Sequence, residues 1–465
     1  MDNARSEQVK EWIDPKNQAI YHYEILTDQT IRLLSCTGGQ SRIEIPGEIE
    51  GLPVGRLGRH LFYENGLLVE EVVLPDSIRI IEEEALEFAV CLQKIQLNSG
   101  LVYIGKNAFH ATQLTSLVIP KTVEWMEEPG EWGIELELED GNPNYSDDGY
   151  GIYFIHGRKY LALVHHENPR RRYRLAEDCR GIQKHALFSA QRLEEVILPP
   201  SVQEISEAAF SVEKEEDEDP DLSVRIEEGN PSLSISQGCI LLKRKEDQKT
   251  ASYSYTAIYG EPDFTGDLVD ISQKLNGPLT AIAAEAFYGS KITEVRLPRT
   301  LGRIGAEAFT DCRLKKAYLE EEDGWTEILF PSEYGYLMNR LLASFGKNGH
   351  RYDYGEYDEN LLKGGWNLEK LHLSISRLKQ GRQLKKETED SIRERILTDM
   401  EEILKLIRDH SDGESLQALS DLHFFTEENT DQAIAFFRQK ESGELMSILL
   451  NVKQGQRRKS FDFSL

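Results

Sequence analysis

The sequence is poor in cysteine, and its few cysteines form no recognisable pair. The 465 residues include five cysteines, none of them in a C-x-x-C arrangement. An odd, scattered set argues against a disulfide framework and against a zinc site built on thiolates. We therefore expect the cysteines to be small, buried core side chains in a protein that works in a reducing compartment.

The chain also lacks a long hydrophobic run. No window of 18 or more apolar residues occurs, so the sequence predicts no membrane span. The first residues, MDNARSEQVKEWIDP, contain no apolar stretch of the kind found in a signal peptide. Together with the unpaired cysteines, these observations predict a cytoplasmic protein. Export by a route that needs no such signal stays open as the alternative.

Positive charge is scarce. The chain has 54 Lys and Arg residues against 81 Asp and Glu residues, which gives a formal net charge of −27 and a pI of about 4.9. Such a chain repels the phosphates of nucleic acids, so we expect no nucleic-acid partner. Two basic clusters exist at residues 170–174 and 243–245, and we interpret both as solvated loop charge.

Motifs of known catalytic sites are missing as well. The sequence contains no G-x-x-x-x-G-K-[ST] phosphate loop, no G-x-S-x-G elbow and no H-E-x-x-H pair. His165-His166-Glu167 does not have the H-E-x-x-H spacing, and we expect His156 on a neighbouring strand of the same insert. We therefore predict a non-enzymatic protein without a cofactor or metal ion. A hydrolase within the inserts or the tail is retained only as a minor alternative.

What the sequence does contain is a repeat. The phrase ITEVRLPRTLGRIGAEAF at 292–309 recurs as LEEVILPPSVQEISEAAF at 193–210 and VEEVVLPDSIRIIEEEAL at 69–86, and more loosely as LQKIQLNSGLVYIGKNAF at 92–109. The spacing from Ile292 to Leu314 and from Leu92 to Leu114 is 22 residues. A period in the low twenties with leucine-like strand positions predicts a leucine-rich-repeat solenoid. One such unit cannot bury its apolar face alone, so neighbouring copies must stack.

The repeat pattern divides the chain into four parts. Residues 1–40 are predicted to form an N-terminal cap with a hairpin in YHYEILTDQTIRLLSC, and residues 41–320 form the repeats. Two β-hairpin inserts are expected near 127–175 and 213–278, each closed by a Gly-Asn-Pro turn, in LELEDGNPNYSDDGYGIYF and VRIEEGNPSLSISQGCILL. Residues 321–360 are interpreted as a linker or docking segment.

The last part, residues 361–465, is predicted to be a helical domain. The segment SIRERILTDMEEILKLIRDH places five apolar residues on one helix face, namely Ile392, Ile396, Met400, Ile403 and Ile407. Further helices are predicted near Thr430 and Ser442, with Gly455 as the stop signal of the last one.

The repeat strands also predict a candidate binding face. In L-x-x-V-x-L the first, fourth and sixth residues point into the core, so the fifth points outward. The fifth positions are Val73, Gln96, Val118, Ile197, Arg296 and Tyr318. The third positions beside them are mostly charged: Glu71, Lys94, Ser116, Glu195, Glu294 and Lys316. An exposed apolar column often marks a partner site, although β-branched residues also favour strands and an insert could cover them.

The pattern LP…I…AF resembles the BspA-type, or Treponema-type, leucine-rich repeats of bacteria over about residues 40–320. The two Gly-Asn-Pro inserts resemble interruptions seen in such proteins. DYGEYDENLL and ENTDQAIAFFRQKESGELMSILL look like the helical, ankyrin-like tails of some intracellular members.

The resemblance implies a solenoid of short β-strands and turns or short helices, with inserted β-hairpins, followed by a small all-α C-terminal domain. It implies a protein–protein interaction scaffold that presents its repeat sheet to a protein partner and supplies no catalytic residue. In some members the role is adhesion to host or matrix proteins, so an exported adhesin is the alternative function.

Overall fold

The computed structural model divides into two compact units, Met1–Ile235 and Ser236–Leu465. It describes residues 9–64, 66, 68–166, 168–213, 221–245, 252–312, 314–321, 324–329, 354–381, 384–439 and 443–462. Residues 31–319 form about 12 turns of a β-solenoid, and an all-helical region follows in the second unit. The predicted fold class is therefore confirmed.

The N-terminal cap is a three-stranded antiparallel sheet. Its strands are β1 (Lys10–Ile13), β2 (Ile20–Ile25) and β3 (Ile31–Thr37). The predicted hairpin is the β2–β3 pair, and the Asp28 carboxylate stabilises its turn by accepting hydrogen bonds from the Thr30 amide at 3.1 Å and hydroxyl at 2.6 Å. Strand β3 then pairs in parallel with the strand Leu52–Leu57, so the cap leads directly into the repeats.

Most repeats of the first unit contribute two short strands, and equivalent strands stack in parallel. The first strands are β4 (Arg42–Glu44), β7 (Glu71–Val73), β9 (Lys94–Gln96), β11 (Ser116–Ile119), β13 (Glu135–Leu138), β17 (Arg172–Arg174), β19 (Glu195–Leu198) and β21 (Ser223–Ile226). The second strands are β6 (Leu52–Leu57), β8 (Ile80–Ile81), β10 (Tyr103–Ile104), β12 (Trp125–Met126), β18 (Cys179–Ile182) and β20 (Glu204–Ile205), and the short β5 (Glu48–Ile49) folds back on β6. Val72 lies opposite Ile95, and both are buried, so like residues stack into a continuous core.

A left-handed residue marks the same corner of successive turns. In the first unit these residues include His60, Glu84, Asn107, His185 and Ala208, with φ between 53° and 57°. A left-handed conformation costs a non-glycine residue about 1–2 kcal/mol. Backbone hydrogen bonds between neighbouring corners offset it, for example from His60 N to the Glu84 carbonyl at 3.0 Å and from Glu84 N to the Lys106 carbonyl at 2.8 Å. The corner therefore stacks as regularly as the strands do.

The first insert differs from the predicted hairpin. Its strands β14 (Tyr145–Asp147), β15 (Gly151–Ile155) and β16 (Lys159–Val164) form an antiparallel meander. The segment expected to be the first hairpin strand is β13, which pairs in parallel with β11 and so belongs to the repeats. In the second insert β21 likewise pairs in parallel with β19, and β22 (Leu233–Ser236) follows the turn. The prediction that the Gly-Asn-Pro turns close hairpins is therefore wrong, because each turn connects a repeat strand to its insert.

The asparagine of each Gly-Asn-Pro turn fixes that connection. Asn142 accepts hydrogen bonds through Oδ1 from the amides of Asn144 at 2.9 Å and Tyr145 at 3.0 Å. Asn230 accepts equivalent bonds from Ser232 at 2.9 Å and Leu233 at 2.8 Å, and its Nδ2 donates to the Val202 carbonyl at 2.7 Å. The turn is thus bonded to the preceding repeat by asparagine, whose short side chain carries both an acceptor oxygen and an amide donor.

The second unit begins with the rest of the second insert and continues with repeats. Its strands are β23 (Cys239–Lys245), β24 (Tyr253–Gly260), β25 (Leu279–Ile282), β26 (Glu294–Leu297), β27 (Arg303–Ile304), β28 (Lys316–Glu321) and β29 (Gly324–Leu329), and helix α1 (Leu268–Lys274) precedes β25. The buried rings of Phe264, Phe287 and Phe309 stack at 4.7 Å and 5.2 Å between centroids. Phe287 and Phe309 are the Ala-Phe positions of successive turns, and Phe264 extends their stack.

The helical region contains helices of 8 to 20 residues joined by short loops. They are α2 (Tyr354–Leu361), α3 (Leu368–Gln380), α4 (Lys386–Thr398), α5 (Met400–Asp409), α6 (Gly413–Asp421), α7 (Glu427–Gln439) and α8 (Gly443–Asp462). Strand β29 and helix α2 lie in the segment interpreted as a linker, whereas residues 330–353 are outside the described residues.

Two helix predictions need correction. The periodic segment 391–410 is interrupted at Asp399, whose carboxylate accepts a hydrogen bond from Trp366 Nε1 at 2.8 Å. The predicted apolar face is nevertheless present, because Ile396 and Ile403 on either side of the break are both fully buried. The last helix continues through Gly455 to Asp462, so Gly455 does not end it. A single glycine costs a helix only about 1 kcal/mol, and this helix tolerates it.

Candidate protein-binding face

The six predicted face residues lie on four separate sheets. Val73, Gln96 and Val118 follow one another on β7, β9 and β11 of the first unit, with Val73 directly opposite Gln96. Ile197 lies on β19 of the same unit, in the sheet of β17, β19 and β21. Arg296 and Tyr318 are direct neighbours on β26 and β28 of the second unit.

The charged column of the first sheet is an ion-pair ladder. Arg42 on β4 lies 3.3 Å from the Glu71 carboxylate on β7, which in turn lies 3.3 Å from Lys94 Nζ on β9. These side chains are largely exposed, so each pair contributes at most about 1 kcal/mol to stability. The ladder therefore defines a charge pattern on the surface more than it holds the strands together.

The apolar column of the first sheet is short, and the exposed valine that follows it lies on β11, in a separate two-stranded sheet with β13. Val73 is half-buried, whereas Val118 on β11 has 55% of its surface exposed. Val118 lies opposite Glu137 on β13, which is also exposed. The face therefore combines one prominent apolar contact with acidic neighbours, and water is free to reach it.

Ile197 is not part of an exposed face, which corrects the sequence prediction. Only 7% of its surface is exposed. It lies between Arg174 and Arg225 in the register of β17, β19 and β21. Arg174 reaches across to Glu227 with bonds of 2.9 Å and 2.8 Å, so this pair covers Ile197. The hydrogen bonds from Arg174 also lower the pKa of the Glu227 carboxyl group.

The second unit carries a cationic–aromatic cluster on its outer face. The Arg296 guanidinium lies 5.9 Å from the Tyr318 ring centre and 5.8 Å from that of Trp325 on β29, and 3.4 Å from the Asp267 carboxylate. Trp325 is 46% exposed, and sequence reasoning missed it because its strand fell in the segment interpreted as a linker. The signal was present in KAYLEEEDGWTEIL, where a charged Gly-containing turn separates two alternating runs.

Two groups of His and Glu side chains gather at the corner of the first unit within the described residues. They are His60 with Glu84 and Glu87, and His185 with Glu128 and Glu131. Sequence reasoning could not find them, because each group joins residues from different turns. His156 and His165 do not come together, since His156 follows β15 and His165 follows β16 at opposite ends of their hairpin. Glu167 lies outside the described residues.

His165 is instead held between two carboxylates. Its Nδ1 lies 2.5 Å from Glu135, and its Nε2 lies 3.1 Å from Asp147. Burial disfavours the charged imidazole, but the hydrogen bonds and charges of Asp147 and Glu135 outweigh it and raise the pKa of His165. This arrangement links a repeat strand to the insert and has the geometry of a structural ion pair.

Parallel strands, a repeat of about 22 residues and a buried ladder of leucine-like residues define a leucine-rich-repeat solenoid. The chain matches the family model of the BspA type Leucine rich repeat region in six copies, over residues 55–129, 171–216 and 270–328. The matched segments are therefore BspA-type leucine-rich repeats, and a helical region follows them in the chain, as predicted. Repeats of this family are typically non-catalytic and mediate protein interactions, and no enzyme family is matched.

Several bacterial leucine-rich-repeat structures are similar to this chain. One is a leucine rich cell surface protein from Faecalibacterium prausnitzii (16% identity, 68% of this chain and 97% of that chain covered, TM-score 0.31). Others are a leucine-rich repeat protein from Bacteroides capillosus (28%, 26% and 94%, TM-score 0.24) and one from T. pallidum (19%, 44% and 82%, TM-score 0.26). No curated protein matches the chain. None of the described helices is both long and apolar enough to cross a bilayer.

Proposed function

We propose that this chain is a non-enzymatic, cytoplasmic scaffold that binds a protein partner through the outer face of its repeat strands. The observation that carries the proposal is Val118, an apolar side chain more than half exposed on the repeat strand that follows the ion-pair ladder of Arg42, Glu71 and Lys94. A small apolar contact inside a polar rim is the usual anatomy of a protein interface.

The chemistry of the face specifies the partner further. Val118 is flanked by Glu137, and the chain as a whole has a net charge of −27. We therefore expect a partner surface that places an apolar side chain on Val118 and basic side chains around it. The same charge disfavours nucleic acid as the partner.

A cytoplasmic location is supported by the state of the cysteines. All five lie in the described part of the chain and are free thiols, and four of them are buried. Burial raises the pKa of Cys36 to about 12 and that of Cys179 to about 11, so both stay protonated and unreactive. Free thiols are typical of reducing compartments. The alternative, an exported adhesin for host or matrix proteins, predicts that cell fractionation recovers the chain outside the cytosol.

The proposal is tested by affinity capture from native cytosol with the full chain. Val73→Ser together with Val118→Ser should abolish capture of a specific protein, because the apolar contact is lost while the strand backbone is kept. Tyr63→Ser is the matched control, since Tyr63 is even more exposed but lies outside the face. If the folded double variant still captures the partner, the face is not the binding site. Capture of a partner from the secreted fraction, and of none from the cytosol, would favour the exported adhesin.

A further inference from the structure

The corner of the first unit brings together two histidines and two glutamates from successive turns. His60 and Glu84 occupy the left-handed position of neighbouring turns, with φ of 57° and 56°. Glu87 and His110 each follow three residues after a corner residue. Backbone hydrogen bonds from His60 N to the Glu84 carbonyl at 3.0 Å and from Phe88 N to the His110 carbonyl at 3.1 Å hold the three turns in register. The four side chains are therefore aligned by the solenoid itself.

The distances between their donor atoms match those of a metal site. His60 Nδ1 lies 3.6 Å from Glu87 Oε2, His60 Nε2 lies 3.3 Å from Glu84 Oε2, and His110 Nδ1 lies 3.2 Å from Glu87 Oε1. One donor atom of each of His60, Glu84 and Glu87 lies within 4.8 Å of the others. Tetrahedral zinc with bonds of about 2.1 Å separates its ligand atoms by about 3.4 Å. An imidazole gives one ion only one of its two nitrogens, so one of the two glutamates must move from the His60 nitrogen that it faces toward the other.

One ligand atom of the group, His60 Nδ1, is buried without a hydrogen-bond partner in the described part of the chain. Glu84 Oε2 is equally buried but pairs with Arg59. A buried, unsatisfied polar atom costs about 1–3 kcal/mol, so such atoms usually mark a missing water or ion. Glu87 is itself only 8% exposed. Arg59, whose side chain is half exposed, pairs with Glu84 and donates from Nε to His60 Nε2 at 3.2 Å, so an ion at this site must displace it toward solvent.

The second His–Glu group of the same corner shows the contrast. There Lys106 Nζ lies 2.9 Å from Glu128 and 3.6 Å from Glu131, and Lys184 Nζ lies 3.2 Å from Glu128. Burial raises the pKa of Glu128, but hydrogen bonds from His185 and Lys106 outweigh it and hold that pKa well below its usual range. Two lysines thus neutralise the carboxylates that an ion would need. Within the described residues no lysine pairs with the first group, whose cationic neighbour is Arg59.

From this geometry we propose that His60, Glu84 and Glu87 bind one divalent transition-metal ion of the Zn²⁺ class, with His110 as the ligand nearest solvent. Imidazole nitrogen and carboxylate oxygen together suit Zn²⁺ and Co²⁺ better than Ca²⁺ or Mg²⁺, which prefer oxygen ligands alone. The ion fastens three successive turns of the solenoid at their corner. It is independent of the binding face, which lies on the first strands.

The test is metal titration of the untagged, chelator-treated full chain. Isothermal titration with Zn²⁺ should show one site that saturates at micromolar protein, and Co²⁺ should give visible absorption bands of a site with nitrogen and oxygen ligands. Added Zn²⁺ should also raise the melting temperature, because the ion binds only the folded chain. Weak binding that cannot be saturated, or Co²⁺ without bands, would overturn the proposal.

Variants locate the site. His60→Ala and Glu87→Gln should each weaken Zn²⁺ binding by at least about tenfold, whereas His185→Gln, the matched change in the lysine-neutralised group, should leave it unchanged. His110→Ala covers the case in which His60→Ala does not fold, since His110 is half exposed and should still reduce affinity and alter the Co²⁺ spectrum. If all of these variants bind as the wild type does, the ion is held elsewhere and the assignment is wrong.

Discussion

The Gly-Asn-Pro turns allow the sharpest test of how the inserts are attached to the repeats. Asn230 makes three hydrogen bonds: it accepts from the amides of Ser232 and Leu233 and donates to the Val202 carbonyl. Asn230→Ala removes all three. Asn230→Asp keeps both acceptor bonds but replaces the donor with an oxygen that faces the Val202 carbonyl. Comparison of the two variants therefore separates the two acceptor bonds within the turn from the donor bond to the preceding repeat.

The magnitudes follow from the bond count. A hydrogen bond contributes about 1 kcal/mol net, so Asn230→Ala should lower the local opening free energy by about 3 kcal/mol. Asn230→Asp should cost about 1–2 kcal/mol, because one bond is lost and a carbonyl is left unpaired. Asn142→Ala in the first insert should cost about 2 kcal/mol, since its third bond, to the Pro120 carbonyl, is long at 3.4 Å.

Hydrogen exchange measured by mass spectrometry is the suitable assay, because a solenoid opens locally and global unfolding is not two-state. A loss of about 3 kcal/mol speeds exchange of the peptide 221–235 by more than about a hundredfold. Exchange of the peptide 42–73 should not change, and it serves as the internal control. An aspartate variant that exchanges as the wild type does would refute the role of the Val202 bond. Equal exchange in the alanine and aspartate variants would refute the role of the two acceptor bonds. An alanine variant that behaves as the wild type does would refute the turn as the attachment point.

Two further predictions concern pH. The pKa of His165 is raised in the folded chain. The stabilisation from Glu135 and Asp147 should therefore be fully present below about pH 6.5 and be lost as the pH rises through the folded pKa. Melting curves at pH 5.5 and 8.5 should differ less in His165→Gln than in the wild type. A pH difference that survives in His165→Gln would contradict this. Burial raises the pKa of Glu369 to about 7. Ionisation of this side chain therefore lowers the free energy of unfolding as the pH rises from about 4.5 to 7, and the loss stays constant above pH 7. Glu369→Gln should therefore stabilise the helical region by about 2 kcal/mol at pH 8 and by little at pH 4, and equal melting at pH 8 would show that the carboxyl group is solvated.

The fold was predictable from the sequence because its determinants are local and periodic. Strand positions such as Val72 and Ile95 recur at the repeat spacing, and their stacking follows from that period alone. The apolar face of Ile396 and Ile403 was likewise readable from helical spacing, although the break at Asp399 depends on Trp366, which lies 33 residues away.

The details of the surface were not predictable, because they depend on contacts between distant residues. Ile197 is covered by an ion pair whose partners, Arg174 and Glu227, are 53 residues apart. The corner group of His60 and Glu87 exists only after successive turns have stacked. Trp325 was missed because its strand had been assigned to a linker. The cytoplasmic location stays a prediction for cell fractionation to test, and the binding role of the face stays a prediction for partner capture to test.

The most direct test of the proposed function is photo-crosslinking from position 118 in living cells. A benzoylphenylalanine residue placed at Val118 should form a covalent adduct with one partner protein, and the adduct should fractionate with the cytosol. The same residue at Tyr63, which is exposed but outside the face, should form none. Identical adducts from both positions, or none from position 118 in a folded and expressed chain, would contradict the claim that this repeat face is a binding site.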